Sequence, residues 1–420
     1  MDAPDSHCRR RNDAGPFPLT ACRGTQMCSG MVPAVASRLL IGLQHPLRQL
    51  RSARAPAGWA LVGALLLVAV AVPFILARIP FRPGPTAGVS LAAGETSHLG
   101  SRHLALVINS ADPLSEAIGN YYQQARQIPA EQVIRVRFAP GPTSLPVAEF
   151  RRIRRQVERQ TPDRVQVYAL AWATPWQVGC QSITSAFSFG YRPEVCAGRC
   201  GSARVSPYYA RGDVRRPWDQ LRLRPSMLLA ATSLAAGRAL IDRGVAADGS
   251  APAGTAYLLS TSDPLRNVRA DRFAAVAATL GRRLRIRVLW GDALESAPDV
   301  IAYFTGLTVV SGISSNHYRP GAVADHLTST AGVLTGPSGR SGDGGYGQMS
   351  ALRWLEAGAT GSYGTVVEPC NLTAKFPDPG LLLSYYRRGD TLIESYWRSV
   401  AMPDQGVFVG EPLARPWGRR

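Results

Sequence analysis

The chain has 420 residues, is 45% apolar and 8% aromatic, and carries a formal charge of +18. Its folded part is long enough to bury a sizeable core, as one large domain or two fused halves. The charge does not point to nucleic acid. Lys375 is the only lysine, and the arginines are dispersed, with no basic platform interleaved with aromatics.

Residues 1–54 are polar, rich in proline and aperiodic, and are expected to be a disordered basic tail. Residues 55–77 are an uncharged run of 23 residues, long enough for one transmembrane helix. Arg38, Arg48, Arg51 and Arg54 precede it, while only Arg78 and Arg82 follow closely. That asymmetry places the N-terminus in the cytoplasm. A cleaved signal peptide competes, but no Ala-x-Ala site follows directly, which favours an uncleaved anchor. The expectation is a single-pass inner-membrane protein with a linker over 78–102 and a periplasmic C-terminal domain.

Cysteine usage bears on the same question. Cys8, Cys22 and Cys28 precede the anchor, whereas Cys180, Cys196, Cys200 and Cys370 would face an oxidising compartment. Cys180, Cys196 and Cys200 share one loop, so a disulfide among them is expected. Zinc is disfavoured because no histidine is near and the C-x3-C spacing lacks a second pair. No metal or cofactor is expected.

Apolar strands over 103–109, 133–138 and 165–172 alternate with helices beginning near Asp112 and spanning 147–159. This is a βαβαβ pattern, which predicts a parallel sheet with helices on both faces. Residues 173–225 interrupt it with a Cys-, Gly- and Pro-containing insertion, long enough to suggest a functional loop or lid. Strands over 228–231 and 256–260 then flank a helix over 234–245. A helix over 272–280 precedes strands over 286–289 and 300–304. A helix over 349–357, a strand over 361–367, a helix over 381–397 interrupted at Gly389, and a strand over 407–409 complete the chain. One α/β domain over 103–417 is expected.

Residues able to carry chemistry are few. His317 and His326 lie in a stretch rich in Gly, Ser and Thr. Either could serve as base to a Cys370 thiolate, since a nucleophile needs an adjacent base. Ser329 lies beside His326 in sequence. Glu368 ends a predicted strand, where open parallel sheets bind ligands. The plain alternatives are a buried cysteine, ordinary histidines and a glutamate that caps a turn. Asp325, Glu394 and Glu411 accompany the glycine-rich turns. Gly336 to Gly347 is the most glycine-rich stretch, suited to a flexible loop or an anion cradle.

Several blocks together resemble a known group. They are Val107-Ile-Asn-Ser-Ala-Asp-Pro-Leu-Ser115 with Ile128-Pro-Ala-Glu131, then Pro320-Gly-Ala-Val-Ala-Asp-His-Leu-Thr-Ser329. Ile118 to Tyr122, Gly358-Ala-Thr-Gly-Ser-Tyr-Gly-Thr-Val-Val-Glu-Pro369, Gly389 to Ser399 and Val409-Gly-Glu-Pro-Leu-Ala-Arg-Pro416 complete the set. The chain resembles, over about 103–417, a bacterial family from genomes carrying exosortase, the membrane enzyme of a protein-sorting and exopolysaccharide-linked system. The family's molecular activity is unassigned, so the resemblance implies a context and not a reaction. Tyr303-Phe-Thr-Gly306, Gly358-Ala-Thr and Gly410-Glu-Pro-Leu413 are more distantly similar to the block order of gingipain-type peptidases, which are caspase-like. Leu307 stands where those enzymes carry histidine, and Thr328, Ser329 and Thr330 stand near their cysteine. The resemblance therefore implies a non-peptidase relative.

The expected function is a membrane-anchored periplasmic accessory or binding protein of an exosortase-associated envelope system. Its expected partners are exosortase-system proteins or exopolysaccharide, besides the membrane through residues 55–77. Two alternatives stand beside it. One is a caspase-like hydrolase using Cys370 or Ser329 with His317 or His326. The other is a surface-carbohydrate binder using Tyr208, Tyr209 and Trp218 of the insertion.

Overall fold

A computed structural model describes residues 98–197, 200, 204–336 and 345–418. The expected anchor at 55–77, the tail at 1–54 and most of the 78–102 linker lie outside the described residues. So does most of the glycine-rich stretch, from 337 to 344. Among the described residues, no helix is long and apolar enough to cross a membrane.

The first strand, β1 (Leu104–Asn109), is buried at every residue, as a parallel strand covered on both faces must be. Asp112 then caps α1 (Pro113–Arg126), its carboxylate accepting the Leu114 N–H, and Pro113 occupies the first turn, where no N–H partner is required. After β2 (Val133–Val136), α2 (Val147–Gln160) buries Phe150, Ile153 and Val157 along one stripe and leaves Arg151, Arg152, Arg155 and Arg159 in water. The strand β3 (Val167–Leu170) leads into the insertion. There a short hairpin, β4 (Gln177–Val178) with β5 (Gln181–Ser182), is followed by α3 (Ile183–Phe189) and α4 (Pro217–Leu221).

The second run begins with β6 (Ser226–Leu228), α5 (Leu234–Ala247) and β7 (Thr255–Ser260). It continues through α6 (Phe273–Leu280), β8 (Arg285–Trp290), β9 (Val300–Thr305) and β10 (Tyr318–His326). The chain closes with α7 (Leu352–Ala357), β11 (Gly361–Thr365), α8 (Pro379–Arg387), α9 (Leu392–Ser399) and β12 (Gly406–Gly410).

Ten strands form one sheet in the order β2-β1-β3-β6-β12-β11-β10-β9-β7-β8. Every pairing is parallel except β11 with β12. The sheet is thus two parallel halves running in opposite directions, joined at that antiparallel seam. Helices cover both faces. Tyr303 and His326 pack on Trp354 of α7, whereas Phe408 stacks on Trp397 of α9 and Gly361 abuts Leu392 and Tyr396. Strand alternation and register put these two sets on opposite sides.

The interruption expected at Gly389 is there: Gly389, at φ +92°, turns the chain between α8 and α9. Residues 318–326, for which the sequence predicts no strand, are a central strand. The insertion is also no loose lid. Residues Ile183 to Ser188 are buried, and Thr184 bonds Gly406 on the last strand at 3.1 Å.

Candidate functional site

The residues proposed for chemistry gather at the C-terminal ends of β10 and β11, with one exception. His317 precedes β10 and is exposed. A nine-residue strand separates it from His326, about 30 Å at 3.3 Å per residue. It cannot serve a nucleophile at the other end.

His326 is 1% exposed. Its Nδ1 accepts the Trp354 indole N–H at 2.9 Å, and Nε2 lies 3.1 Å from the Met349 carbonyl. These partners assign the Nε2–H tautomer and leave no nitrogen for a substrate or a serine. Burial pushes its pKa down to about 3, which the Met349 carbonyl partly opposes and Arg269 and Arg266 reinforce. His326 is a satisfied core histidine.

Ser329 is 7% exposed, and its carbonyl accepts the Thr365 hydroxyl at 2.9 Å. On either side of it, the Gln348 carboxamide oxygen accepts from the Thr328 hydroxyl and the Thr330 N–H. The segment is held by amides and hydroxyls, with no imidazole. Asp325, one residue before His326, faces the opposite side of the sheet, where Arg269 pairs with it at 2.5 Å. Arg269 also donates to the carbonyls of Thr305 and Pro377. Burial raises the Asp325 pKa, and Arg269 opposes that shift.

Cys370 is bonded to Cys200, and Cys180 to Cys196. The first pairing removes the proposed thiolate. The Cys180–Cys196 bond is the disulfide expected among the three cysteines of the insertion, whereas Cys200 joins a position 170 residues away that the spacing did not indicate. Glu368 is exposed, and its Oε1 accepts the Cys370 N–H at 2.7 Å, the turn-capping alternative. The predicted dyads are therefore not assembled. Among the described residues, no group of three His, Cys, Asp or Glu could hold a metal.

The remaining acidic residues are structural anchors. Glu411 is fully buried, bonded by Tyr122 at 2.7 Å and gripped by the Arg126 guanidinium. The three rings expected to form a carbohydrate site are placed apart. Tyr208 is buried beneath the Arg398 guanidinium, and Trp218 is covered by that of Arg224 at 3.4 Å. Tyr209 lines a separate 130 Å³ cavity beside Arg269 and Asp378. These rings do not share one cleft. Lys375, the only lysine, is buried and donates to Gln405 at 2.6 Å and to the Cys200 carbonyl. It therefore buttresses the Cys200–Cys370 bridge.

Replacing Cys200 with serine is expected to lower stability by about 2–5 kcal/mol, because the bridge closes a long loop. Thermal melts of the oxidised protein measure it. Equal melting temperatures for wild type and Cys200→Ser would show that the bridge is not formed.

The described cavity of the right size lies elsewhere. A crevice of about 370 Å³ opens beyond the C-terminal ends of β1, β3 and β6, lined by Asp112, Ser115, Thr143, Trp172, Thr232 and Thr335 among others. The order β2-β1-β3 makes this the topological switch point of its half-sheet, where open α/β sheets bind ligands. Asn109 organises its floor, donating its N–H to Ser115 Oγ and bonding Phe138 through its carboxamide. No arginine or lysine lines it, and its one carboxylate, Asp112, is engaged with the Leu114 N–H. Hydroxyls of Ser115, Thr143, Thr174, Thr232 and Thr335 alternate with apolar groups such as Leu114, Ile118 and Trp172, a lining suited to a neutral, hydroxyl-bearing ligand and poorly suited to a phosphate. The strand-order rule could have located this crevice. The candidate nucleophiles Ser329 and Cys370 lie in the other half.

No protein-family model matches this chain. No curated protein matches it either.

Proposed function

We propose that the protein is a non-catalytic binding component of a bacterial envelope system of the exosortase-associated kind. In this reading residues 55–77 anchor it and the α/β domain lies in the periplasm. The observation that carries it is the pairing of Cys180 with Cys196 and Cys200 with Cys370. Two disulfides in one domain suit an oxidising compartment, and the second occupies the sulfur that a hydrolase would need. The ligand site in this reading is the switch-point crevice, and its neutral lining favours a polyhydroxylated ligand. The caspase-like description is kept as a proposal about architecture. A parallel half-sheet ending in β10 and β11 supports it, while its chemistry has no assembled dyad.

The test uses full-length protein in membranes and a membrane-impermeant maleimide. Cys180, Cys196, Cys200 and Cys370 are expected to label only from the periplasmic side and only after reduction. Cys8, Cys22 and Cys28 are expected to label from the cytoplasmic side without it. Labelling of Cys370 before reduction, or peptidase or esterase turnover lost in Ser329→Ala, would overturn the reading.

A further inference from the structure

The sheet has two edges, and they are treated differently. β2 has four residues, and α2 reaches over it, with Gln156 donating to the Arg135 carbonyl at 3.0 Å. β8 is longer, at six residues, all paired in parallel register with β7 on one side. On its other side, among the described residues, no backbone or side-chain group bonds to the main chain of residues 285–290. Such an edge is a template for another strand.

Its side chains specify which strand. Ile286, Val288 and Trp290 share one face, and Arg285, Arg287 and Leu289 the other. Ile286 and Leu289 pack on the core, but Val288 is 42% exposed and Trp290 74%. Arg285 reaches Asp299 at 3.4 Å. Arg282, Arg283 and Arg287 have no carboxylate partner among the described residues. The edge therefore presents an apolar stripe on one face and, on the other, Arg287 without a carboxylate partner beside the Asp299-paired Arg285, with Arg282 and Arg283 just before the strand.

We propose that β8 is a docking edge for an extended acidic peptide segment, which adds to the sheet as an eleventh strand. Alternate residues of the segment place carboxylates beside Arg285 and Arg287 and apolar groups beside Val288 and Trp290. A second copy of this chain fits less well. Two-fold antiparallel pairing of two β8 strands puts the arginines of both copies on the same face of the joined sheet, where like charges repel. The chain's +18 charge acts in the same direction. An anionic lipid surface could meet the arginines and Trp290, but its phosphates only accept hydrogen bonds. The edge offers carbonyls as well as N–H groups, and a strand satisfies both.

The test uses the full chain in detergent and a fluorescein-labelled peptide alternating glutamate and valine. Binding is expected by fluorescence anisotropy, with slowed amide exchange at 285–290. Arg287→Glu and Trp290→Ala, both changes at exposed positions, are each expected to weaken it by about tenfold or more. Two further peptides carry N-methyl groups on either the odd or the even residues. One of them should lose binding, because an added strand uses only alternate amides toward its neighbour.

Four results would each overturn the proposal. Retained binding by both methylated peptides would leave simple charge attraction. Equal binding of a lysine–valine peptide would remove the charge complementarity. A dimer converted to monomer by Trp290→Ala would make the occupant a second copy. A blue shift of Trp290 on phosphatidylglycerol vesicles, with no peptide binding, would make it a lipid surface.

Discussion

Replacing Arg398 with alanine is expected to lower stability by about 3–5 kcal/mol, the range for breaking a buried ion pair. Every residue of α9 is buried, Arg398 included. Its guanidinium pairs with Asp390, lies 3.4 Å from Glu394 and donates to the Val214 carbonyl at 2.6 Å. It also covers the Tyr208 ring at 4.8 Å, so one side chain ties the insertion to α9. Without it, two buried carboxylates remain close together. Among the described residues, Arg215, 3.0 Å from Asp390 and 43% exposed in its side chain, is the cation that stays paired with them.

Burial already raises the Glu394 pKa, and Arg398 holds that rise in check. Removing the guanidinium lets it climb further. A carboxyl whose folded pKa exceeds its unfolded value stabilises the fold at low pH and loses that contribution as pH rises. The deficit of Arg398→Ala should therefore be largest near neutrality and shrink toward pH 4. Urea denaturation of both proteins across that range measures it. A deficit under about 1 kcal/mol at pH 7 would place Arg398 with the exposed pairs, which contribute little. A triple variant, Arg398→Met with Asp390→Asn and Glu394→Gln, should recover most of the loss, because it buries no unpaired charge.

The parts legible in the sequence were those whose physics is local. β1, β7 and β9 are short apolar runs because both faces of each strand are covered, and that pattern survives in one dimension. β10 was not legible, because Pro320 and Gly321 read as turn chemistry. Gly321 in fact sits at φ +85°, where a side chain would strike Pro416. The antiparallel seam between β11 and β12 leaves no local trace, since it depends on where the chain returns after α8 and α9. Disulfide partners can be equally non-local: spacing pointed to a bond among Cys180, Cys196 and Cys200, which Cys180–Cys196 supplies, but it leaves no trace of the Cys200 partner 170 residues on. The candidate site failed for a related reason. His326, Ser329 and Cys370 do converge on neighbouring strand ends. Whether a histidine is a base depends on its other contacts, and Met349 and Trp354 are set by the fold.

His326 supplies the second large effect, and it runs with pH. Its pKa falls from 6.5 to about 3 on folding, chiefly because burial disfavours the imidazolium. Above pH 6.5 the ring is neutral in both states and nothing is lost. Below it the unfolded chain takes up a proton that the folded one refuses, so stability declines by about 1.4 kcal/mol per pH unit. The decline ends near pH 3, after a total on the order of 5 kcal/mol. Asp325, Glu394 and Asp404, whose pKa values burial raises, act in the opposite direction as pH falls. The histidine's share is therefore read as a difference from a variant. His326→Asn keeps an oxygen near the position of Nδ1 to accept the Trp354 N–H, but it cannot titrate. At pH 7 the variant should be the less stable protein, having lost ring packing against Trp354. The gap should narrow steadily below pH 6.5 and reverse if the packing loss is smaller than the titration penalty. Parallel stability curves for the two proteins from pH 7 to pH 4 would show that His326 is protonated in the fold, and would return it to the list of possible bases.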